Sequence, residues 1–204
     1  MICFENGSLI YIPDFLPSEE ADSLFYYLIH NIPWMEKKIK IFGKWVQQPR
    51  LVFWFGDKVY RYSGISLETR EWDEKIFELK KRIESFFSFE WNHSLLNFYR
   101  NGRDSMGWHA DDEKELGKNP IIASYSLGVS RKILFCRKKM PKRNENIASI
   151  ILSHNSLFFM LGEIQHYWYH AVPKEKNIQK IKFSHKNQTW ETESRINITF
   201  RKII

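Results

Sequence analysis

The chain has 204 residues, of which 43% are hydrophobic and 27% are charged. This composition is typical of a globular protein and excludes an intrinsically disordered chain. Lys and Arg number 31 against 24 Asp and Glu, and the resulting net charge of +7 mildly favours a polyanionic partner such as nucleic acid.

The N-terminal part of the chain is predicted to mix helices and strands. A first helix is predicted to begin at Pro17-Ser18, with Ser18 as its N-cap, and to end near Asn31. A second helix is predicted over residues 70–87, where apolar side chains recur every three to four positions. Residues 39–64, between these helices, are predicted to form short strands and turns.

In the C-terminal part, short apolar runs alternate with polar turns. This pattern predicts an antiparallel sandwich or jelly roll (a double-stranded β-helix), with the N-terminal helices packed outside one sheet. The predicted fold is therefore α+β, in one domain over residues 1–204. The basic segment 137–146 and the polar segment 174–193 are predicted to be connections. The predicted strands are 94–99, 105–110, 121–129, 132–137, 148–152, 156–161, 166–172 and 194–203.

Two cysteines, Cys3 and Cys136, are too few for a disulfide framework and favour a reducing compartment. The N-terminus carries Glu5 and Asp14 and lacks the pattern of a secretory signal. No apolar stretch approaches the ~20 residues of a membrane-spanning helix. We therefore expect an intracellular monomer without a membrane partner, which is cytoplasmic or, in a eukaryote, nuclear.

Three residues have the pattern of a metal site. His109 and Asp111 are separated by one residue, and His170 follows 61 positions after His109. Residues i and i+2 of a strand point to the same side, so the first two can face one ion. Two imidazoles and one carboxylate form the facial triad of non-haem Fe(II), but they also suit hydrolytic zinc, so both metals remain open at this point. His166 would lie too far along the strand to share the ion.

The last predicted strand alternates polar and apolar residues. Its apolar face fits a core, so its polar face would point into the barrel, where an unpaired arginine is costly. Two inward arginines about 20 Å apart favour a short dicarboxylate between them, and this co-substrate would favour iron over zinc. Asn97 and Tyr99 share a face of the strand before His109 and could donate to the same acid. The alternative is two arginines on an exposed edge strand. The polar residues of the strand are Arg195, Asn197, Thr199 and Arg201.

Eight short motifs lie between about residue 40 and the C-terminus. They are FGKW (42–45), PR (49–50), YRYSG (60–64), LLNFYRNG (95–102), WHADDE (108–113), SYSLG (124–128), QHYWYHAVP (165–173) and RINITFRK (195–202). In order and spacing they resemble the AlkB family of Fe(II)- and 2-oxoglutarate-dependent dioxygenases. The likeness is greatest to the branch that repairs alkylated duplex DNA, because Ile41-Phe42-Gly43 occupies the place of its wedge, which fills the gap left by a flipped base. Phe42 and Gly43 are therefore expected to contact DNA.

The resemblance implies a metal centre and a co-substrate site. His109, Asp111 and His170 would bind Fe(II) and carry catalysis, with 2-oxoglutarate and O2 as co-substrates. Arg195 would bind the distal carboxylate of 2-oxoglutarate, and Arg201 would lie near its metal-bound end. The other residues expected to hold 2-oxoglutarate are Asn97, Tyr99, Asn197 and Thr199.

The resemblance also implies a base pocket and a DNA-binding surface. The extracted base would stack between the rings of His109 and Tyr62, with Tyr60 and Glu113 near its polar edge. Tyr62 stands where the family has Phe, which would alter the polarity of the pocket. The residues expected to meet phosphates are Arg50, Lys138, Lys139, Lys142 and Arg143.

The activity implied by the resemblance is oxidative demethylation of N-alkylated bases in DNA, such as N1-methyladenine and N3-methylcytosine. Decarboxylation of 2-oxoglutarate would be coupled to release of formaldehyde. Residues 1–90 would supply the helices and nucleotide-recognition strands, and residues 91–204 the jelly-roll core. These methyl groups block base pairing, which lowers the cost of flipping the damaged base. The alternatives are an RNA demethylase of the same chemistry and a non-catalytic nucleic-acid-binding jelly roll.

Overall fold

The computed structural model describes residues 2–41, 44–62, 65–186 and 188–204. The helices are α1 (Ser18–Asn31), α2 (Glu74–Phe87) and the short α3 (Ile164–Tyr167). Within the described ranges, the helices all fall short of the length and apolar character that a membrane crossing requires. In chain order the strands are β1 (Ile2–Phe4), β2 (Gly7–Ile12), β3 (Met35–Ile41), β4 (Lys44–Gly56), β5 (Tyr60–Tyr62), β6 (Ile65–Leu67), β7 (His93–Tyr99), β8 (Met106–His109), β9 (Ile122–Gly128), β10 (Arg131–Arg137), β11 (Ile147–Leu152), β12 (Ser156–Leu161), β13 (Trp168–Val172), β14 (Ile181–His185), β15 (Gln188–Thr192) and β16 (Arg195–Arg201).

Two antiparallel sheets pack face to face. The large sheet has the strand order β1–β2–β12–β9–β16–β7–β4–β3, and the small sheet has the order β11–β10–β13–β8. Leu9 and Phe158 of the large sheet share an apolar cluster with Phe135 and Leu152 of the small sheet. Strands β3 and β4 belong to the same sheet as β7, so segments on both sides of residue 90 build one sheet.

The first two helices cover the outer face of the large sheet. Phe25 of α1 and Leu79 of α2 belong to one buried cluster with Ile196 and Ile198 of β16. Every residue of β16 is buried, on both of its faces. Because the apolar face packs under the helices, the alternating polar face must turn towards the small sheet.

The helix starts differ from the predicted ones. Helix α1 has Pro17 in the N-cap position, and its carbonyl accepts the first helical hydrogen bonds, so the prediction of Ser18 as N-cap is wrong. Helix α2 begins at Glu74, later than predicted, because the Asp73 side chain accepts a hydrogen bond from the amide of Ile76 at 3.2 Å. A capping carboxylate of this kind fixes where a helix starts.

Three segments predicted as turns, loop or strand have a different structure. Residues 39–64 contain the 13-residue strand β4, which is long because it pairs with β3 on one side and β7 on the other. Residues 174–193 contain the hairpin β14–β15, whose Trp190 stacks on Tyr26 of α1 at 4.1 Å between ring centroids. His166 lies in the helical turn α3, before β13 begins.

Candidate metal centre

The three residues predicted to bind metal come together between the two sheets. His109 ends β8 and is the register partner of His170 on the adjacent strand β13, while Asp111 follows two residues after His109. Their candidate ligand atoms all lie within 4.8 Å of one another, and the two imidazole centroids are 4.1 Å apart. Side chains separated by about sixty positions in sequence therefore surround one point.

The Asp111 carboxylate has one oxygen fixed by the protein and one oxygen free for a metal. Arg201 donates from Nη2 to Oδ1 at 2.8 Å. Oδ2 is buried and has no hydrogen-bond partner among the described residues. A buried, unpaired carboxylate oxygen beside two imidazoles is costly unless something positive binds it, so this donor set fits a divalent cation.

The protonation states also suit a metal. Burial, with a smaller effect of the neighbouring His109, lowers the pKa of His170 to about 3. Burial also lowers the pKa of His109, whose Nδ1 donates to the carbonyl of Gly107 at 2.9 Å, which leaves Nε2 as the ligand atom. Burial alone would raise the pKa of Asp111, but Arg201 and the two imidazoles bring it down to about 2. All three groups are therefore deprotonated at neutral pH, as metal binding requires.

Gln165 positions the carboxylate ligand, a role that the sequence did not indicate. It lies in α3, is 1% exposed, and accepts the backbone N–H of Asp111 through Oε1 at 2.9 Å. Its Nε2 donates to the Met160 sulfur at 3.4 Å, which fixes the orientation of the amide. The sequence contained Gln165 only as one position of a longer motif.

Replacing Gln165 with Leu is expected to weaken metal binding by about 10- to 100-fold, the usual cost of losing a partner that orients a metal ligand. The Asp111 amide would lose its acceptor and the ligand would be free to shift. Calorimetric titration with Mn(II) measures the effect, and Gln188→Leu, at an exposed position of β15, is the matched control. Equal Mn(II) affinity in Gln165→Leu and wild-type protein would contradict this role.

The polar face of β16 lines the same cavity as the metal ligands. This cavity between the sheets has a water-accessible volume of about 30 Å³. It is walled by apolar side chains of both sheets, among them Ile133 and Leu152 of the small sheet and Met160 of the large sheet. The structure thus rejects the alternative of two arginines on an exposed edge strand. The predicted co-substrate residues that line the cavity are Asn97, Tyr99, Arg195, Asn197, Thr199 and Arg201.

One end of the cavity presents a buried guanidinium with free donors. Arg195 is 1% exposed and donates from Nη2 to Ser126 Oγ at 2.9 Å. Its Nε and Nη1 are buried without a hydrogen-bond partner in the described part of the chain. Burial lowers the pKa of Arg195 to about 10, which still leaves it charged at neutral pH. Two unused donors on a planar cation fit a carboxylate, so the residues present suit a dicarboxylate whose far end lies here.

The remaining polar side chains form a hydrogen-bonded row along the cavity. Asn197 donates to Ser124 Oγ at 2.7 Å, and its side-chain oxygen accepts from the Thr199 hydroxyl at 3.0 Å. Asn97 accepts from Arg50 Nε at 2.7 Å.

Arg50 is 3% exposed, so the prediction that it meets phosphates is wrong; its side chain turns inwards to hold Asn97. A lone arginine in a strand gives no sequence signal for the face on which it lies.

The predicted base pocket is described only in part. Phe42 and Gly43 lie outside the described residues, and of Tyr62 only the backbone is described. Tyr60 is completely buried and interacts with Glu113, which is half-buried. Burial raises the pKa of Glu113, and the nearby Asp111 carboxylate raises it further. Contact of these residues with a base remains a prediction.

The basic segment between β10 and β11 lies beside the metal ligands. Lys138 forms an ion pair with Asp112 at 2.6 Å, next to Asp111 in sequence. Lys142 lies 4.9 Å from the ring centroid of Tyr169, the neighbour of His170. The two other basic residues of this segment, Lys139 and Arg143, are exposed. Phosphate contact by these four side chains remains a prediction.

His93, which the sequence analysis did not single out, is a buried neutral histidine next to Tyr60. Its ring lies edge-on to that of Tyr60 with 4.9 Å between centroids. Neither ring nitrogen has a hydrogen-bond partner among the described residues. Burial, with a smaller effect of the Arg201 charge, lowers the pKa of His93 to about 3.

Replacing His93 with Leu is expected to reduce the acid sensitivity of the protein. The unfolded chain binds a proton near pH 6.5, whereas the folded protein does so only near pH 3, so the unfolding free energy falls as pH drops through this window. Between pH 6.5 and pH 5 the contribution is up to about 2 kcal/mol. Urea unfolding at both pH values, with a chelator present, measures it. The exposed His30→Leu is the control, and equal pH dependence in His93→Leu and wild type would contradict the assignment.

Several known proteins are similar to this chain in sequence. A family model described as the 2OG-Fe(II) oxygenase superfamily matches residues 8–201. Alpha-ketoglutarate-dependent dioxygenase alkB homolog 3 from Bos taurus is 37% identical over 197 residues, which cover 94% of this chain and 64% of the bovine protein. DNA oxidative demethylase ALKBH2 from Mus musculus is 31% identical over 194 residues, which cover 91% of this chain and 76% of the mouse protein.

A solved structure confirms the predicted jelly-roll fold. It is described as "The structure of OsALKBH1", has a TM-score of 0.63 at 13% identity, and covers 99% of this chain and 100% of that chain. At this identity the likeness concerns the fold alone. In sequence, the chain spans 64% of the length of the bovine relative.

Proposed function

Because the chain belongs to the 2OG-Fe(II) oxygenase superfamily, we propose that it is an Fe(II)- and 2-oxoglutarate-dependent dioxygenase that demethylates N-alkylated bases in DNA. The observation that carries this proposal is the meeting of two incomplete sites in one cavity. Among the described residues, Asp111 has a carboxylate oxygen without a partner beside two imidazoles, and Arg195 has two donors without a partner in the same cavity. A hydrolytic zinc site would have no use for the second feature.

The chain's own residues would bind and orient both reactants. His109, Asp111 and His170 would hold Fe(II), and Arg195 with Ser126 would hold the distal carboxylate of 2-oxoglutarate. Arg201 fixes the Asp111 oxygen that is not free for the metal. Bound Fe(II) and 2-oxoglutarate would supply the oxidation of the N-methyl carbon by O2, with succinate, CO2 and formaldehyde as products.

The electrostatics of the cavity support a dianionic co-substrate. Arg195 and Arg201 are both buried, and Asp111 is paired with the second of them. A buried cation without a carboxylate partner is unfavourable, so the protein gains when an anion binds at Arg195. The apolar walls formed by Ile133, Leu152 and Met160 would limit water near the reacting atoms.

DNA is the proposed nucleic acid for two reasons. The mouse relative is described as a DNA oxidative demethylase, and the chain has a net charge of +7. The exposed Lys139 and Arg143 would add phosphate contacts beside the metal centre. We further propose that the protein acts inside the cell, where such a substrate lies, and that a monomer suffices, since one chain supplies every residue named in the site.

The substrate test compares one methylated sequence as duplex DNA, single-stranded DNA and RNA, each with N1-methyladenine. We expect formaldehyde release from DNA that requires Fe(II), 2-oxoglutarate and O2. Formaldehyde release from RNA alone would show that RNA, and not DNA, is the substrate. Formaldehyde release that does not require 2-oxoglutarate would favour a hydrolytic metal site. Turnover of none of the three, with intact binding to DNA, would favour a non-catalytic binding module.

Duplex preference is proposed from the Phe42 wedge. An inserted aromatic side chain offsets part of the few kcal/mol that unstacking costs, and single strands do not incur this cost. Phe42→Ala should therefore lower activity on duplex DNA about tenfold more than on single-stranded DNA. The control is Phe86→Ala, at a 57% exposed position of α2. An equal loss on both substrates would contradict the wedge.

A further inference from the structure

Another buried guanidinium, that of Arg131, lies close to the co-substrate cavity but does not line it. Arg131 is the first residue of β10, and its side chain is 1% exposed. It donates to the backbone carbonyls of Asp104 at 3.0 Å and Pro173 at 2.5 Å, and more weakly to that of Asn101 at 3.4 Å. Its Nε lies 3.5 Å from a Glu175 carboxylate oxygen.

These contacts join two loops that continue the strands of the site. The loop from Asn101 to Asp104 connects β7 to β8, and the segment from Pro173 to Glu175 follows β13. The loops also touch directly, since Glu175 donates its N–H to the Gly102 carbonyl at 2.8 Å. A Cβ at residue 102 would lie within 1.9 Å of the Glu175 carbonyl oxygen, so only glycine permits this approach.

Tyr99 connects Arg131 to the cavity. The guanidinium carbon of Arg131 lies 5.6 Å from the Tyr99 ring centroid, and that of Arg195 lies 5.3 Å from the same centroid. Tyr99 and Arg195 line the cavity, whereas Arg131 does not. Each cation within about 6 Å of an aromatic ring is attracted to it. One ring therefore holds two cations, of which only Arg195 can touch a ligand.

The charges at this end of the cavity are not balanced. Arg131 faces Glu175, whose side chain is 32% exposed, together with three carbonyl dipoles. Arg195 faces the hydroxyls of Ser126 and Tyr99 and no carboxylate among the described residues. Two buried cations close to one tyrosine repel each other, and an anion at Arg195 would relieve this repulsion.

We propose that Arg131 is a positioning residue for the co-substrate, which acts through Tyr99 and selects a dicarboxylate over a monocarboxylate. It fixes the loops that flank β7 and β13, and thereby the Tyr99 ring against which Arg195 lies. It also adds positive charge behind the carboxylate-binding end. The inference rests on the proposed binding of 2-oxoglutarate at Arg195.

The experiment compares two ligands that differ only at the far end. 2-Oxoglutarate and 2-oxopentanoate have the same chain length and the same 2-oxo acid group, but only the first has a distal carboxylate. Their affinities for the Mn(II)-loaded protein are measured by calorimetry in wild type, Arg131→Met, Arg131→Lys and the exposed control Arg103→Met. Far-UV circular dichroism confirms that each variant is folded.

Arg131→Met is expected to weaken the binding of 2-oxoglutarate about tenfold. The affinity for 2-oxopentanoate should stay within about twofold of the wild-type value. Arg131→Lys, which keeps the charge but loses most of the hydrogen bonds, should fall between Arg131→Met and wild type. A wild-type protein that binds neither ligand would overturn the proposed function. If the wild type prefers 2-oxoglutarate but Arg131→Met loses affinity for both ligands equally, the role of Arg131 is overturned and the proposed function is not.

If Arg131→Met does not fold, a substitution of Glu175, whose carboxylate faces Arg131, still tests the inference. Glu175→Gln removes the counter-charge of Arg131 and leaves Arg131 itself in place. The cavity end becomes more positive, so 2-oxoglutarate should bind about two- to threefold more tightly, with 2-oxopentanoate unchanged. Weaker or unchanged binding of 2-oxoglutarate in Glu175→Gln would contradict the electrostatic part of the inference.

Discussion

Replacing Asp111 with Asn is expected to lower 2-oxoglutarate-dependent formaldehyde release at least about 100-fold and to weaken Mn(II) binding to a similar extent. The amide offers no anionic oxygen for the metal. It also removes the carboxylate partner of Arg201, whose side chain is 3% exposed. Breaking a buried ion pair by removing one partner costs about 3 to 5 kcal/mol, which urea unfolding in the presence of a chelator would measure.

The adjacent aspartate is a matched control for this prediction. Asp112 has a 48% exposed side chain and forms its ion pair with Lys138 at the surface. Asp112→Asn should change the unfolding free energy by less than about 1 kcal/mol and leave Mn(II) affinity unchanged. Wild-type Mn(II) affinity in Asp111→Asn, or equal effects of the two substitutions, would contradict the assignment of Asp111 as a ligand.

Replacing Arg195 with Met is expected to weaken 2-oxoglutarate binding about 100-fold without lowering the stability of the free protein. A buried charge pair that loses one partner typically loses this much affinity. In the free protein, however, Arg195 is a buried cation with two donors that lack a partner among the described residues. Replacing it with an apolar side chain of similar length should therefore leave stability unchanged or raise it. Calorimetry with the Mn(II)-loaded protein measures the first effect, and thermal unfolding of the metal-free protein measures the second.

The opposite signs of these two effects separate ligand binding from structural support. If Arg195 merely held the fold together, Arg195→Met would lose stability and 2-oxoglutarate affinity in parallel. Arg103→Met, at an exposed loop position, should change neither quantity. A 2-oxoglutarate affinity in Arg195→Met within about threefold of wild type would exclude Arg195 as the carboxylate-binding residue.

The sequence predicted those parts of the site that follow strand periodicity. In β16 the polar residues alternate with Ile196, Ile198 and Phe200, and a strand that is buried on both faces must direct its polar face into a cavity. His109 and Asp111 were predictable for the same reason, because one residue separates them. The position of His170 beside His109 depends on the register between β8 and β13, which periodicity does not predict. The sequence indicated His170 only through the motif at residues 165–173.

The side chains that support the site were not predictable from periodicity. Arg50, His93 and Arg131 each lie in a strand and turn inwards, but nothing in the sequence distinguishes them from surface residues. Gln165 acts from a helical turn that precedes β13, outside the predicted strand 166–172. Strand β4 was underestimated because its exposed first half resembles a turn region, while its length depends on pairing with two neighbours.

The proposed function requires that metal, co-substrate and methyl oxidation be coupled in one cavity. Succinate and formaldehyde can be measured together after incubation with an N1-methyladenine oligonucleotide, Fe(II), 2-oxoglutarate and O2. We predict equal amounts of the two products, and neither product from Asp111→Asn. Formaldehyde formed without succinate, or in wild-type amounts by Asp111→Asn, would contradict the account.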